Sequence, residues 1–151
     1  DRLLTDGSYE ISVLHPPPDK QYKEDNIASL VLRIDYRGKK SLMPGDIEPP
    51  GQNDMMTAAD GGFDVIVAPH HGSKWGNSEE FINWADTKNV IISGGNQDIR
   101  LETYENYARF NIPVYHTSPN GAIQVIIDEC GMKIVPKLNT GITEKEVPII
   151  F

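Results

Sequence analysis

Apolar and polar residues alternate along Tyr9-Glu10-Ile11-Ser12-Val13-Leu14, which predicts a strand. The strand stops at His15-Pro16-Pro17-Pro18, because proline supplies no ladder donor. Ala28 to Tyr36 predicts a second strand, with Leu30, Leu32, Ile34 and Tyr36 on one face. Arg37-Gly38-Lys39-Lys40 then reads as a hairpin turn into a short strand, Ser41-Leu42-Met43, ending at Pro44-Gly45-Asp46. A short helix over Met55 to Ala59, capped by Asp54, follows a proline-rich loop. Phe63 to Ala68 is an apolar, β-branched run of the kind found in buried strands, and it leads into Pro69-His70-His71-Gly72-Ser73.

Asn77 and Ser78 start a helix whose first turn carries Glu79 and Glu80, where the helix dipole favours acids. Asn89 to Ser93 is the next strand, and Leu101, Tyr104, Ala108 and Phe110 define the inner side of another helix. Pro113 to Tyr115, Ala122 to Ile127 and Met132 to Val135 complete the strands. Strands come first and then alternate with helices. The fold class is therefore α/β (α+β), a mixed β-sheet with helices on one face. We expect one domain over residues 1–140 and a carboxy-terminal arm over 141–151.

Charge narrows the range of partners. With 14 Lys and Arg against 22 Asp and Glu the net charge is -8, which argues against a broad electrostatic grip on nucleic acid. A bound divalent metal would supply local positive charge for a polyanionic substrate. The single cysteine, Cys130, makes neither an internal disulfide nor a thiolate zinc site and reads as a turn residue. No apolar run approaches the roughly 18 residues that span a bilayer. The start lacks an initiator Met and an apolar core of a signal peptide, so an excised segment of a longer chain is expected.

Candidate chemistry lies at two strand ends. His70 and His71 follow a buried strand and precede a glycine, and neutral imidazole is the commonest zinc ligand. Ser73 is placed to bond a phosphate oxygen or to orient His71. Asp46, after Gly45, offers a carboxylate that can bridge two ions, although a plain turn at Pro44 explains the same residues. His15 reads as a loop residue, and His116 as an exposed strand-end histidine with a position suited to a substrate contact. Trp75 either packs under the loop or stacks on a base.

Taken together, Gly45-Asp46 and His70-His71-Gly72-Ser73 resemble the later metal motifs of the metallo-β-lactamase fold. The nearer resemblance is to the hydrolase domain of ComEC-type competence proteins. Asn26-Ile27-Ala28-Ser29-Leu30-Val31-Leu32-Arg33-Ile34 matches the strand that precedes Gly-Asp in that family, with Leu14-His15-Pro16 upstream of it. Ser78-Glu79-Glu80-Phe81, Val114-Tyr115-His116-Thr117 and Asn120-Gly121-Ala122-Ile123 resemble later family segments, so the likeness spans roughly residues 8 to 128. Two features depart from the family. No HxHxDH string occurs, and Gly95 to Leu101 holds no histidine where many relatives have one.

The resemblance implies the carboxy-terminal half of a metallo-β-lactamase-like αββα sandwich. Asp46 would bridge two zinc or manganese ions, one of His70 and His71 would hold the second, and Ser73, Asn26 and His116 would meet the substrate. A metal-activated water would attack a phosphodiester of DNA during uptake. The implied partners are an amino-terminal half carrying HxHxDH, or a second copy in a homodimer that covers the bare sheet face, with the arm carrying Val147, Ile149, Ile150 and Phe151 as a swapped element. Full-length relatives are attached to the bacterial inner membrane. This chain alone is expected to be nearly inactive. The alternatives are a degenerate, non-catalytic half-domain that binds a partner, and a hydrolase of small phosphoesters or esters.

Overall fold

The computed structural model describes residues 2–5, 8–95 and 101–137. Seven strands form one sheet in chain order: β1 (Arg2–Thr5), β2 (Tyr9–His15), β3 (Val31–Tyr36), β4 (Lys39–Met43), β5 (Val65–Val67), β6 (Val90–Ile92) and β7 (Val114–His116). β1 to β4 run antiparallel, and β4 to β7 run parallel. The change follows from the connections, because a parallel pair needs a crossover while an antiparallel pair needs only a turn. Those crossovers are α1 (Gly51–Ala58), α2 (Glu79–Ala85) and α3 (Leu101–Arg109). α1 touches α2 and α2 touches α3, so the three form one row. A short α4 (Thr117–Asn120) leads to a separate hairpin, β8 (Ala122–Asp128) and β9 (Gly131–Lys137), with exposed Cys130 in its turn. The mixed sheet with helices matches the expected class.

Pairing explains the core. Leu42 sits opposite Ile66, Ile66 opposite Val90, and Val90 opposite Val114, a row that points to the helices. Met55, Phe81, Ile82 and Tyr107 pack against it from the helical side. On the other sheet face Ile11 pairs with Ile34, Val13 with Leu32 and Tyr9 with Tyr36. These six residues are only half-buried. The expected arm over 141–151 lies outside the described residues, as does the domain boundary at 140.

Four local expectations are corrected. β3 begins at Val31, not Ala28, because Ala28 and Ser29 close turns onto Glu24 and Asn26, which leaves Leu30 56% exposed. α1 begins at Gly51, and Asp54 does not cap it. The Asp54 carboxylate instead accepts from Lys20 Nζ at 2.7 Å and Tyr22 OH at 2.8 Å, tying the polar loop to the helix. The inner residues of α3 are Thr103 and Tyr107, while Leu101 is 72% exposed. Trp75 does not pack under its loop; it is 66% exposed, with Lys74 Nζ 4.8 Å from its ring centroid.

Asp64, just before β5, is a buried carboxylate that staples three segments. It accepts from Lys40 N–H at 2.9 Å and Lys88 Nζ at 2.8 Å, with Lys39 Nζ at 3.7 Å. Burial opposes its charge, but the Lys88 hydrogen bond, the Lys40 amide and the two ammonium charges outweigh it and hold its pKa below the usual value. A folded pKa below the unfolded one stabilises the protein above the unfolded pKa of about 4, and that stabilisation is lost as pH falls through the folded pKa. Asp64→Asn is therefore expected to destabilise the fold at pH 7, with the gap from the parent closing below about pH 4. Urea melts across pH would show it; a gap that does not change with pH would refute it.

Candidate metal centre

Parallel strands end on one edge, and loops at such ends are exposed while the strands stay fixed. Here the carboxy-terminal ends of β4, β5, β6 and β7 deliver Asp46, the His70–His71 pair, Ser93 and His116 to the same edge. His71 Nε2 lies 3.8 Å from Asp46 Oδ1. Its other nitrogen, Nδ1, is 2.6 Å from the Ser93 carbonyl oxygen. A carbonyl only accepts, so Nδ1 carries a proton, and in the neutral ring the lone pair sits on Nε2, the nitrogen that faces Asp46. With ligand bonds of about 2.0–2.2 Å, a carboxylate oxygen and an imidazole nitrogen at this separation suit one shared ion. Both side chains are about half exposed, and with Met43, Gly45, Val67 and Ser93 they line a shallow cavity of ≈ 220 Å³.

His70 takes a different role. Its Nδ1 is 2.8 Å from Glu48 Oε1 and 3.4 Å from Asn26 Nδ2. The shorter contact to a carboxylate decides the proton, which Nδ1 donates to Glu48, leaving Asn26 as a long, weak neighbour. The Ser73 hydroxyl also faces Glu48 Oε1, at 3.4 Å. Glu48 was not legible as part of a site, since Glu48-Pro49-Pro50-Gly51 reads as plain loop.

The turn itself is strained. His70 (φ 46°, ψ 54°) and His71 (φ 53°, ψ 29°) are both left-handed, and Gly72 follows at φ 80°. Glycine adopts this freely, but each non-glycine residue there costs on the order of 1–3 kcal/mol. Buried side chains hold the turn in place. Asn77 Nδ2 donates to Pro69 O at 2.9 Å and to Ser73 O at 2.6 Å, Thr103 Oγ1 donates to Gly72 O at 2.7 Å, and Gln52 Nε2 donates to Gly76 O at 2.8 Å.

The remaining histidines are buried. His15 is 0% exposed, donates from Nδ1 to Ser29 O over 3.0 Å and packs on Tyr22, so it is a core residue and not a loop residue. His116 is 2% exposed with Tyr104 edge-on at 6.2 Å, which corrects the expectation of an exposed histidine. Among the described residues, no group of three or more His, Cys, Asp or Glu side chains surrounds a point that a metal ion would fit. Asp46 and His71 thus suit two ligands of one ion, and do not amount to a dinuclear set.

No protein-family profile matches the chain. It is 34% identical over 121 residues to ComE operon protein 3 of Bacillus subtilis (strain 168), which aligns 76% of this chain with 15% of that protein. It is 28% identical over 123 residues to Competence protein ComA of Neisseria gonorrhoeae, 78% of this chain and 18% of that one. The chain is similar to competence proteins. It spans less than a fifth of the length of either relative. A weaker likeness, 23% over 143 residues, joins it to Probable sucrose-phosphatase 3a of Arabidopsis thaliana, of which it spans 33%. No helix among the described residues is long and apolar enough to cross a membrane.

Proposed function

We propose that this chain is the carboxy-terminal half of a metallo-β-lactamase-like hydrolase domain that acts on phosphodiester bonds of DNA during competence. The observation that supports this most is the Asp46–His71 pair, 3.8 Å apart, with the second nitrogen of His71 committed to a backbone carbonyl. Metal-bound histidines almost always carry such a partner on the other nitrogen. The two competence proteins similar to this chain support the biological setting. Asp46 and His71 would hold zinc or manganese, and His70 would not. A bound metal supplies charge stabilisation at a phosphoryl oxygen. The chain's own residues orient the donors: the Ser93 carbonyl sets the tautomer of His71, and the β4 and β5 ends fix the spacing. The metal would also offset the acids at this edge, Asp46 and Glu48, which otherwise repel a polyanion. Two-metal chemistry needs further ligands, which the resemblance assigns to an amino-terminal half.

Zinc titration followed by calorimetry in the parent chain and each variant tests the reading. Weak binding is expected in the parent chain, abolished in Asp46→Ala and His71→Ala and retained in His70→Ala. Loss in His70→Ala with retention in His71→Ala would reverse the assignment, and no response in any chain would sink the metal reading. The alternative reading is a non-catalytic half-domain that binds a partner. Co-expression with the HxHxDH-bearing half of a similar competence protein separates the two, since metal-dependent cleavage of a phosphodiester is expected only if the site completes.

A further inference from the structure

We propose that Glu48 is a positioning residue of this site: it clamps His70 so that the adjacent His71 presents Nε2 to Asp46. The proposal rests on the reading of Asp46 and His71 as metal ligands. The two acids stand two residues apart on one loop, and the two histidines are adjacent on the facing turn. Asp46 faces His71 and Glu48 faces His70, a side-by-side double pairing. The same two loops are also laced by backbone, through His70 N–H to Gly45 O at 3.1 Å.

The exposures set the two acids apart. The Glu48 side chain is 22% exposed and that of Asp46 is 46% exposed. The more buried carboxylate is the one already engaged, by His70 Nδ1 at 2.8 Å and by the Ser73 hydroxyl at 3.4 Å. It therefore grips both ends of the left-handed turn. Two consecutive left-handed non-glycine residues persist only when their surroundings over-determine them. Asn77 and Thr103 hold the backbone of the turn from beneath. Glu48 is the side-chain hold on its exposed side, and releasing it frees the pair to relax, which turns the His71 ring away from Ser93 O and Asp46.

Imidazole nitrogen NMR at a pH where both histidines are neutral tests the clamp without any metal. In the parent chain His70 and His71 are both expected to carry the proton on Nδ1, the less common tautomer of a free side chain. Glu48→Ala is expected to return His70 to the Nε2 proton and to give His71 a mixture, with zinc affinity falling roughly tenfold, the lower end of what an outer partner of a ligand contributes. Glu48→Gln, whose carbonyl still accepts from Nδ1–H, is expected to keep both tautomers and most of the affinity. If Glu48→Ala does not fold, Glu48→Asp, one methylene short of His70, is expected to show the same tautomer shift. An unchanged His71 tautomer in Glu48→Ala or Glu48→Asp would overturn the proposal, as would a Glu48→Gln chain that behaves like Glu48→Ala. A parent chain that ignores zinc but shows these tautomer shifts would remove the metal reading and leave the clamp standing.

Discussion

Asn77→Ala is expected to destabilise the fold by about 3–5 kcal/mol and to loosen the histidine turn at the same time. Asn77 is 0% exposed. Its amide donates to Pro69 O and Ser73 O, and its Oδ1 accepts from Tyr107 OH at 2.7 Å. Alanine would strand the Pro69 carbonyl and the Tyr107 phenol in the interior and leave Ser73 O with the Gly76 N–H at 3.2 Å. Each buried polar group left without a partner costs about 1–3 kcal/mol. Ionisation of the phenol offers no relief, because burial pushes the Tyr107 pKa well up and keeps it a donor. Tyr107→Phe removes one hydroxyl and orphans only Asn77 Oδ1, so about 1–2 kcal/mol is expected there. Urea melts measure both, and proton exchange at the Gly72 and Ser73 amides reads the turn. A cost below about 1 kcal/mol for Asn77→Ala, the ordinary size for a single replaced hydrogen bond, would show that the network does not hold the site.

The other large effect belongs to the core. Phe81→Ala is expected to cost about 3–5 kcal/mol, as large-to-small changes of a buried aromatic do. Phe81 is 0% exposed, lies on the inner face of α2, and meets Trp84 at 5.8 Å between ring centroids. Trp84 in turn meets Phe63 at 5.8 Å, so one aromatic cluster joins α2 to the start of β5. The cavity cannot close without moving α2, whose start is fixed by the Ser78 hydroxyl accepting from Phe81 N–H at 3.2 Å. Asp46→Ala supplies the contrast. Its side chain is 46% exposed, and its removal is expected to leave the melting midpoint nearly unchanged while abolishing zinc binding. Equal losses of stability in the two variants would place Asp46 in the fold and not in the site.

Alternation located β2, and unbroken apolar, β-branched runs located β5 and β6, because strands paired on both sides and covered by helices take apolar residues throughout. The helix start at Asn77-Ser78 and the strand stop at Pro16 were legible too, since both are local backbone effects. α3 was read out of phase. Its buried side is polar, Thr103 and Tyr107, and polar residues face inward only when partners await them. Those partners, Gly72 O and Asn77 Oδ1, come from another loop about 30 residues away in sequence, which no local pattern records. Burial of His15 was hidden for the same reason, since its acceptor, Ser29 O, lies 14 residues away. For the site, local sequence placed Asp46 and the two histidines at strand ends. Only the parallel order of β4, β5 and β6 put those ends side by side, and only side-chain geometry separated His71, which faces Asp46, from His70, which faces Glu48. Strand propensity acts over a few residues, whereas the choice between two adjacent imidazoles depends on which acceptors the neighbouring strands bring within hydrogen-bond reach.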